Sequence, residues 1–209
     1  MSLSTSTLHR FADFLTSPIP ENFPSPRRNR EQINPIRSGS FFPDLLIEAT
    51  RVIRGTHLLK GLKQGVELHR LASQPLVVVF YSLHWNGYAD RLLQLLKDSY
   101  PAIEAAGAHV LVLSSEEQEA FLAVNPDPLP FDIVWDEENR LAKKAGIYLE
   151  SDPVWGRVSG IDADVPVPAV YLVTPSLQIT YDFADIFFQQ EFQPEVLLSH
   201  IEKKLAISA

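Results

Sequence analysis

The stretch Ser82-Leu83-His84-Trp85-Asn86-Gly87-Tyr88-Ala89-Asp90 gathers side chains suited to acid–base work or ligand contact. His84 is a candidate general base or metal ligand. Asp90, on the following helix, would approach across a helical turn and orient the imidazole as a carboxylate does in an acid–base pair. Neither a second histidine nor a close carboxylate at ligand spacing accompanies His84, so an ordinary histidine is the simpler reading. Likewise an acid in a first helical turn commonly does no more than complement the helix dipole. Asn86 has two readings: a helix N-cap accepting from free amides, which is preferred, or a ligand-contacting amide in a pocket. Trp85 and Tyr88 read first as packing and second as pocket wall.

What this stretch lacks is equally informative. The 209 residues include no cysteine, so thiolate nucleophiles, disulfide exchange, iron–sulfur clusters and cysteine-ligated zinc are excluded. Elsewhere, Asp152 and Asp162 flank Trp155, and Asp182 and Asp185 lie together. Paired carboxylates serve hydrolysis or a hard cation, but a solvated acidic surface explains them equally well. No Asp-x-Asp-x-Asp-Gly loop or His-Glu-x-x-His helix is present, and no metal or cofactor is expected.

Composition narrows the remaining classes. A hydrophobic content of 45% over 209 residues is enough for one α/β domain plus an extension. A formal charge of -8 argues against nucleic acid as a partner, since neutralising phosphates needs clustered Lys and Arg. Only Arg27, Arg28 and Arg30 form a basic knot. No apolar run approaches the roughly 20 residues that cross a bilayer, and the N-terminus has no apolar signal core, so a soluble, cytoplasmic protein is expected.

The elements that must position the 82–90 stretch follow from periodicity. Residues 1–40 carry Pro18, Pro20, Pro24, Pro26 and Pro35 and read as an irregular arm, with a short helix over 7–15 and the domain occupying 41–209. A helix is expected over 42–53, from the spacing of Leu45, Leu46, Ala49 and Ile53. Residues 76–81 and 109–113 are continuous apolar strands buried on both faces. Between them a helix runs over 90–106, with Pro101 kinking it and Gly107 ending it. A helix towards Val124, a strand over 131–135 and a helix opened by Asp136 follow. A long loop spans 148–165, then come strands over 167–173 and 179–183 and a closing helix over 194–205. Strands joined through helices imply right-handed crossovers and a parallel pair.

This β-α-β-α-β-α-β-β-α order, with the segment Phe80-Tyr81-Ser82-Leu83-His84-Trp85-Asn86-Gly87-Tyr88-Ala89-Asp90, resembles peroxiredoxin-like proteins of the alkyl hydroperoxide reductase and thiol-specific antioxidant family. Phe80, Tyr81, Trp85 and Tyr88 stand where the FYxxxWCPYC pattern has them. Asn86 and Ala89 occupy both cysteine positions, and Gly87 replaces the proline. Residues 107–114, Phe131 with the Asp136 helix, and Val167-Pro168-Ala169-Val170-Tyr171 match later steps, so the resemblance covers roughly residues 60–205.

The resemblance implies an α/β, thioredoxin-like fold of the peroxiredoxin type: a central mixed sheet flanked by helices, with a cis bond before Pro168 beside the site. It also implies a homodimer. The family's nucleophile sits at a helix N-terminus, where free amides and the dipole lower a thiol pKa; a carboxamide at Asn86 neither attacks peroxide nor passes through sulfenic acid. The supporting arginine is also in doubt, because Thr174-Pro175-Ser176 stands where relatives have an Asp-x-x-Gly turn followed by a basic residue. The site expected is thus a pocket of His84, Trp85, Asn86, Tyr88, Asp90, Val167 and Pro168 that binds a small molecule or protein. The competing reading is an enzyme using His84, Asp90 or the Asp182 region. Deliberate removal of cysteines is disfavoured, since Gly87 and the missing arginine show drift beyond two substitutions.

Overall fold

Leu76-Val77-Val78-Val79-Phe80-Tyr81 is apolar on both faces, and such a strand is stable only in the middle of a covered sheet. The computed structural model, which describes residues 31–208 and the side chains up to 203, places it there. The elements are β1 (Leu46–Ile47), β2 (Val52–Arg54), β3 (Val66–Glu67), α1 (Leu68–Leu71), β4 (Leu76–Tyr81), α2 (Gly87–Ala105), β5 (His109–Ser114), α3 (Gln118–Val124), β6 (Asp132–Trp135), α4 (Arg140–Lys144), β7 (Ala169–Val173), β8 (Ile179–Ala184) and α5 (Pro194–Ser208). The main sheet has the order β2-β6-β5-β4-β7-β8, with β4, β5 and β6 parallel and the other neighbours antiparallel. The result is a mixed sheet flanked by helices, the arrangement that the resemblance to the peroxiredoxin type implies.

Sheet and helices share one core. Every residue of β4 is at most 1% exposed, and α2 lays Leu92, Leu96, Tyr100 and Ile103 against the sheet at helical spacing. Pro101 lies inside α2, which continues through it to Ala105.

Three expectations are corrected. Residues 42–53 do not form a helix: β1 pairs with β3, a 3-10 turn covers Ala49–Arg51, and β2 pairs antiparallel with β6 at Val52↔Val134. A helix there would have matched the local spacing, but an unpaired β6 edge is costly and the β-branched Val52 and Ile53 suit a strand. The helix opened by Asp136 is delayed, because Glu138 and Asn139 take positive φ of 55° and 53°; regular α-helix starts at Arg140, with the Asp136 carboxylate accepting from the amides of Leu141 and Ala142. No cis peptide bond occurs among the described residues, so the Val167–Pro168 bond is trans. There Val167 donates its N–H to Ile147 O at 3.0 Å and Pro168 O accepts from Asp185 N–H at 3.0 Å, holding the chain on both sides of the bond. The Thr174-Pro175-Ser176 turn lies at the Leu76 end of β4, since Leu76 pairs with Val173, and so at the far end of the sheet from Asn86.

The helix expected over 7–15 and the basic knot lie outside the described residues. Residues 31–40 contain no regular element, yet Ile33 is buried, Ile36 N–H donates to Ala145 O and Gly39 N–H donates to Ile179 O. Gly146, at φ 69°, is required by this docking: a Cβ would overlap the Asn34 carbonyl oxygen.

Candidate functional site

Parallel strands end together, so whatever follows β4 and β5 shares one end of the sheet, where α/β folds bind ligands. Both strands run into serine. Ser82 Oγ donates to Glu116 Oε1 at 2.6 Å, Ser114 Oγ to Glu116 Oε2 at 3.0 Å, and Ser115 Oγ to Glu116 Oε1 at 2.8 Å. Glu116 is only 8% exposed, and three hydroxyls satisfy its carboxylate in place of water. Ser82 Oγ also accepts from His84 N–H at 3.2 Å, opening the 3-10 turn Leu83–Trp85 that leads into α2. Residue-by-residue reading missed this network, although polar residues closing two apolar parallel strands are a signal for it.

Asn86 stands at the strand-to-helix junction, with φ 53° and ψ -141°. Its side chain does not cap α2, correcting the preferred reading: Nδ2 donates to the carbonyl of Gly160 in the long loop, and the backbone oxygen of Asn86 accepts from Ala89 N–H. With φ positive and the side chain turned to the loop, the Asn86 carbonyl rather than its amide closes the first turn. Ala89 is buried, so the second position matched to a cysteine points inward.

Trp85 and Tyr88 form an aromatic wall. The indole Nε1–H of Trp85 donates to Pro166 O at 2.8 Å. Its ring meets Tyr81, Tyr88 and Phe188 edge-on, with centroids 6.0, 6.1 and 6.0 Å away. Tyr88 meets Phe188 edge-to-face at 5.3 Å and donates its hydroxyl to Gln190 O at 3.1 Å. Burial pushes the Tyr88 phenol well above its ordinary value, with the Asp185 carboxylate adding to the shift, and burial pushes Tyr81 up to about 12. Phe188 was not among the expected site residues. Asp185 shapes its loop: the carboxylate accepts from Phe187 N–H at 3.2 Å and Gln190 N–H at 2.7 Å.

The structure therefore brings Trp85 and Tyr88 together and ties Trp85 to Pro166, next to Val167 and Pro168, both of which are buried. It does not pair His84 with Asp90: both are exposed, and among the described residues no hydrogen bond or ion pair joins them. Asp182 is bound to Arg37 at 3.0 Å and to Ser38 N–H at 2.7 Å, and Asp152 to Ile33 N–H at 2.9 Å. Among the described residues no group of three or more His, Asp or Glu could hold a metal ion, and no helix is long and apolar enough to cross a membrane. Beyond Tyr88, between α2 and residues 188–192, lies a cavity of about 320 Å³.

Comparison with known proteins agrees with this geometry. The plant protein peroxiredoxin Q, chloroplastic, of Sedum lineare is 25% identical over 143 residues, covering 68% of this chain and 67% of the relative. The Triticum aestivum protein of the same name is also 25% identical, and there the match covers 58% of the relative. Among solved structures, reduced 2-Cys peroxiredoxin from Plasmodium vivax superposes with a TM-score of 0.64 at 12% identity, covering 83% of this chain and 84% of that one. AhpC from Mycobacterium tuberculosis gives 0.62 at 16% identity, covering 83% and 96%; at such identities these structures establish the fold. Residues 53–182 match the AhpC/TSA family, more than half of the sequence, and the chain belongs to that family.

Proposed function

We propose that this chain is a cysteine-less peroxiredoxin-like protein with neither thiol peroxidase nor disulfide reductase activity, which binds a small molecule or a protein through the face that carries the family's reaction. One observation supports the reading above all: at the strand-to-helix junction after β4 stands Asn86, its amide bonded to Gly160, in a sequence without cysteine. A carboxamide offers peroxide no nucleophile and cannot cycle through a disulfide. Residues around it are held in place, as a binding surface requires, by the Trp85–Pro166 bond and the Glu116 network. The rival reading, non-thiol catalysis by His84 and Asp90, lacks the hydrogen bond that would orient the base.

A cytoplasmic homodimer completes the proposal; light scattering of the purified protein tests the assembly. The plant relatives are named as chloroplastic, so the compartment needs its own test by imaging the tagged chain. Peroxide consumption and dithiol-dependent insulin reduction test the chemistry: both rates should equal the protein-free background, and rapid turnover in either refutes the proposal.

A further inference from the structure

We propose that the cavity between α2 and residues 188–192 binds a small monocarboxylate with an aromatic or branched aliphatic body. This rests on reading the α2 face as a binding surface, and it moves the ligand from Asn86 to the other side of Tyr88.

Lining by aromatic and aliphatic side chains together with Arg91, Gln189, Gln190 and Glu191 points to a small amphipathic ligand, apolar in body and polar at one end. A volume of about 320 Å³ lies at the lower end of small-molecule sites. On the helix side, Tyr88, Leu92 and Leu95 recur at helical spacing and turn one face to the cavity; Phe188 and Phe192 face them from the loop. The loop wall is built before any ligand arrives, by the Tyr88–Gln190 bond, the Asp185 carboxylate on two amides and the edge-to-face Tyr88–Phe188 contact. Pre-organisation of this kind lowers the ordering cost of binding.

Charge selects the head group. Arg91 lines the same cavity, its guanidinium 5.9 Å from the centre of the Tyr88 ring. Among the described residues it makes no ion pair and no hydrogen bond, so its planar donors are free beside the aromatic and aliphatic part of the lining. A carboxylate takes two parallel N–H bonds from such a group. Glu191 lines the cavity from the loop side and opposes any negative charge there, so an anionic group is favoured only against Arg91, and only a single one.

The test is calorimetric titration of the purified full chain with 3-phenylpropanoate and with its neutral counterpart 3-phenylpropan-1-ol. The acid should bind saturably, one per chain, about tenfold tighter than the alcohol. Arg91→Gln should erase that difference, and Leu95→Trp, which fills the cavity, should weaken both ligands by about tenfold or more. Arg91 is exposed, so its variant reads out the site even if the filled variant fails to fold. The absence of saturable binding up to about 10 mM acid, or an unchanged affinity in Arg91→Gln, overturns the inference. Peroxide consumption measured on the same preparation separates the two claims: turnover refutes the proposed function whatever the acid does, whereas absent binding without turnover refutes the cavity site alone.

Discussion

The indole Nε1–H of Trp85 donates to the carbonyl oxygen of Pro166 across 2.8 Å, joining the turn before α2 to the segment before β7. Both partners are buried, so removing the donor leaves the carbonyl unsatisfied away from water. Trp85→Phe keeps the aromatic packing and deletes the bond. It should lower unfolding free energy by about 1–3 kcal/mol, seen as a lower urea midpoint at unchanged slope.

Asn86 holds backbone angles that favour glycine, φ 53° and ψ -141°, and spends its amide on Gly160. Asn86→Ala loses the tether and keeps the strain; Asn86→Gly loses the tether and relieves it. The glycine variant should be the more stable of the two by about 1 kcal/mol in thermal or urea unfolding. Both should show faster amide exchange around residue 160, since neither side chain reaches its carbonyl.

Burial raises the Asp136 carboxyl above 3.8, offset in part by the amides of Leu141 and Ala142. The folded state therefore binds this proton more tightly than the unfolded chain. The stability it contributes is fully present below pH 3.8 and is lost as pH rises through the raised native value. Asp136→Asn keeps an acceptor for the helix start but cannot titrate. The stability of the wild type relative to this variant should rise as pH is lowered from about 7 to about 4, measured by urea unfolding across that range; a fall over that range contradicts the assignment.

Much of the fold was legible because its centre is dominated by one force. The apolar runs at 76–81 and 109–113 admit a buried strand and little else, and the leucines of α2 recur at helical spacing. Residues 42–54 were not legible, since Leu45, Leu46, Ala49 and Ile53 satisfy a helical pattern while the decision between helix and strand rests with β6, some 80 residues away. Local spacing likewise placed a helix directly after Asp136, where the turn through Glu138 and Asn139 postpones it. At the site, Trp85 and Tyr88 could be singled out from sequence, but their partners could not. Phe188 comes from a loop that Asp185 holds, and Glu116, which has Ser114 and Ser115 as sequence neighbours, acquires Ser82 through the parallel pairing of β4 with β5.

The account stands on the replacement of sulfur by a carboxamide at residue 86. Steady-state consumption of hydrogen peroxide by the purified protein, with dithiothreitol in excess, tests this most directly. The rate should be independent of protein concentration and equal to that of reductant alone. A rate that grows in proportion to added protein would contradict it.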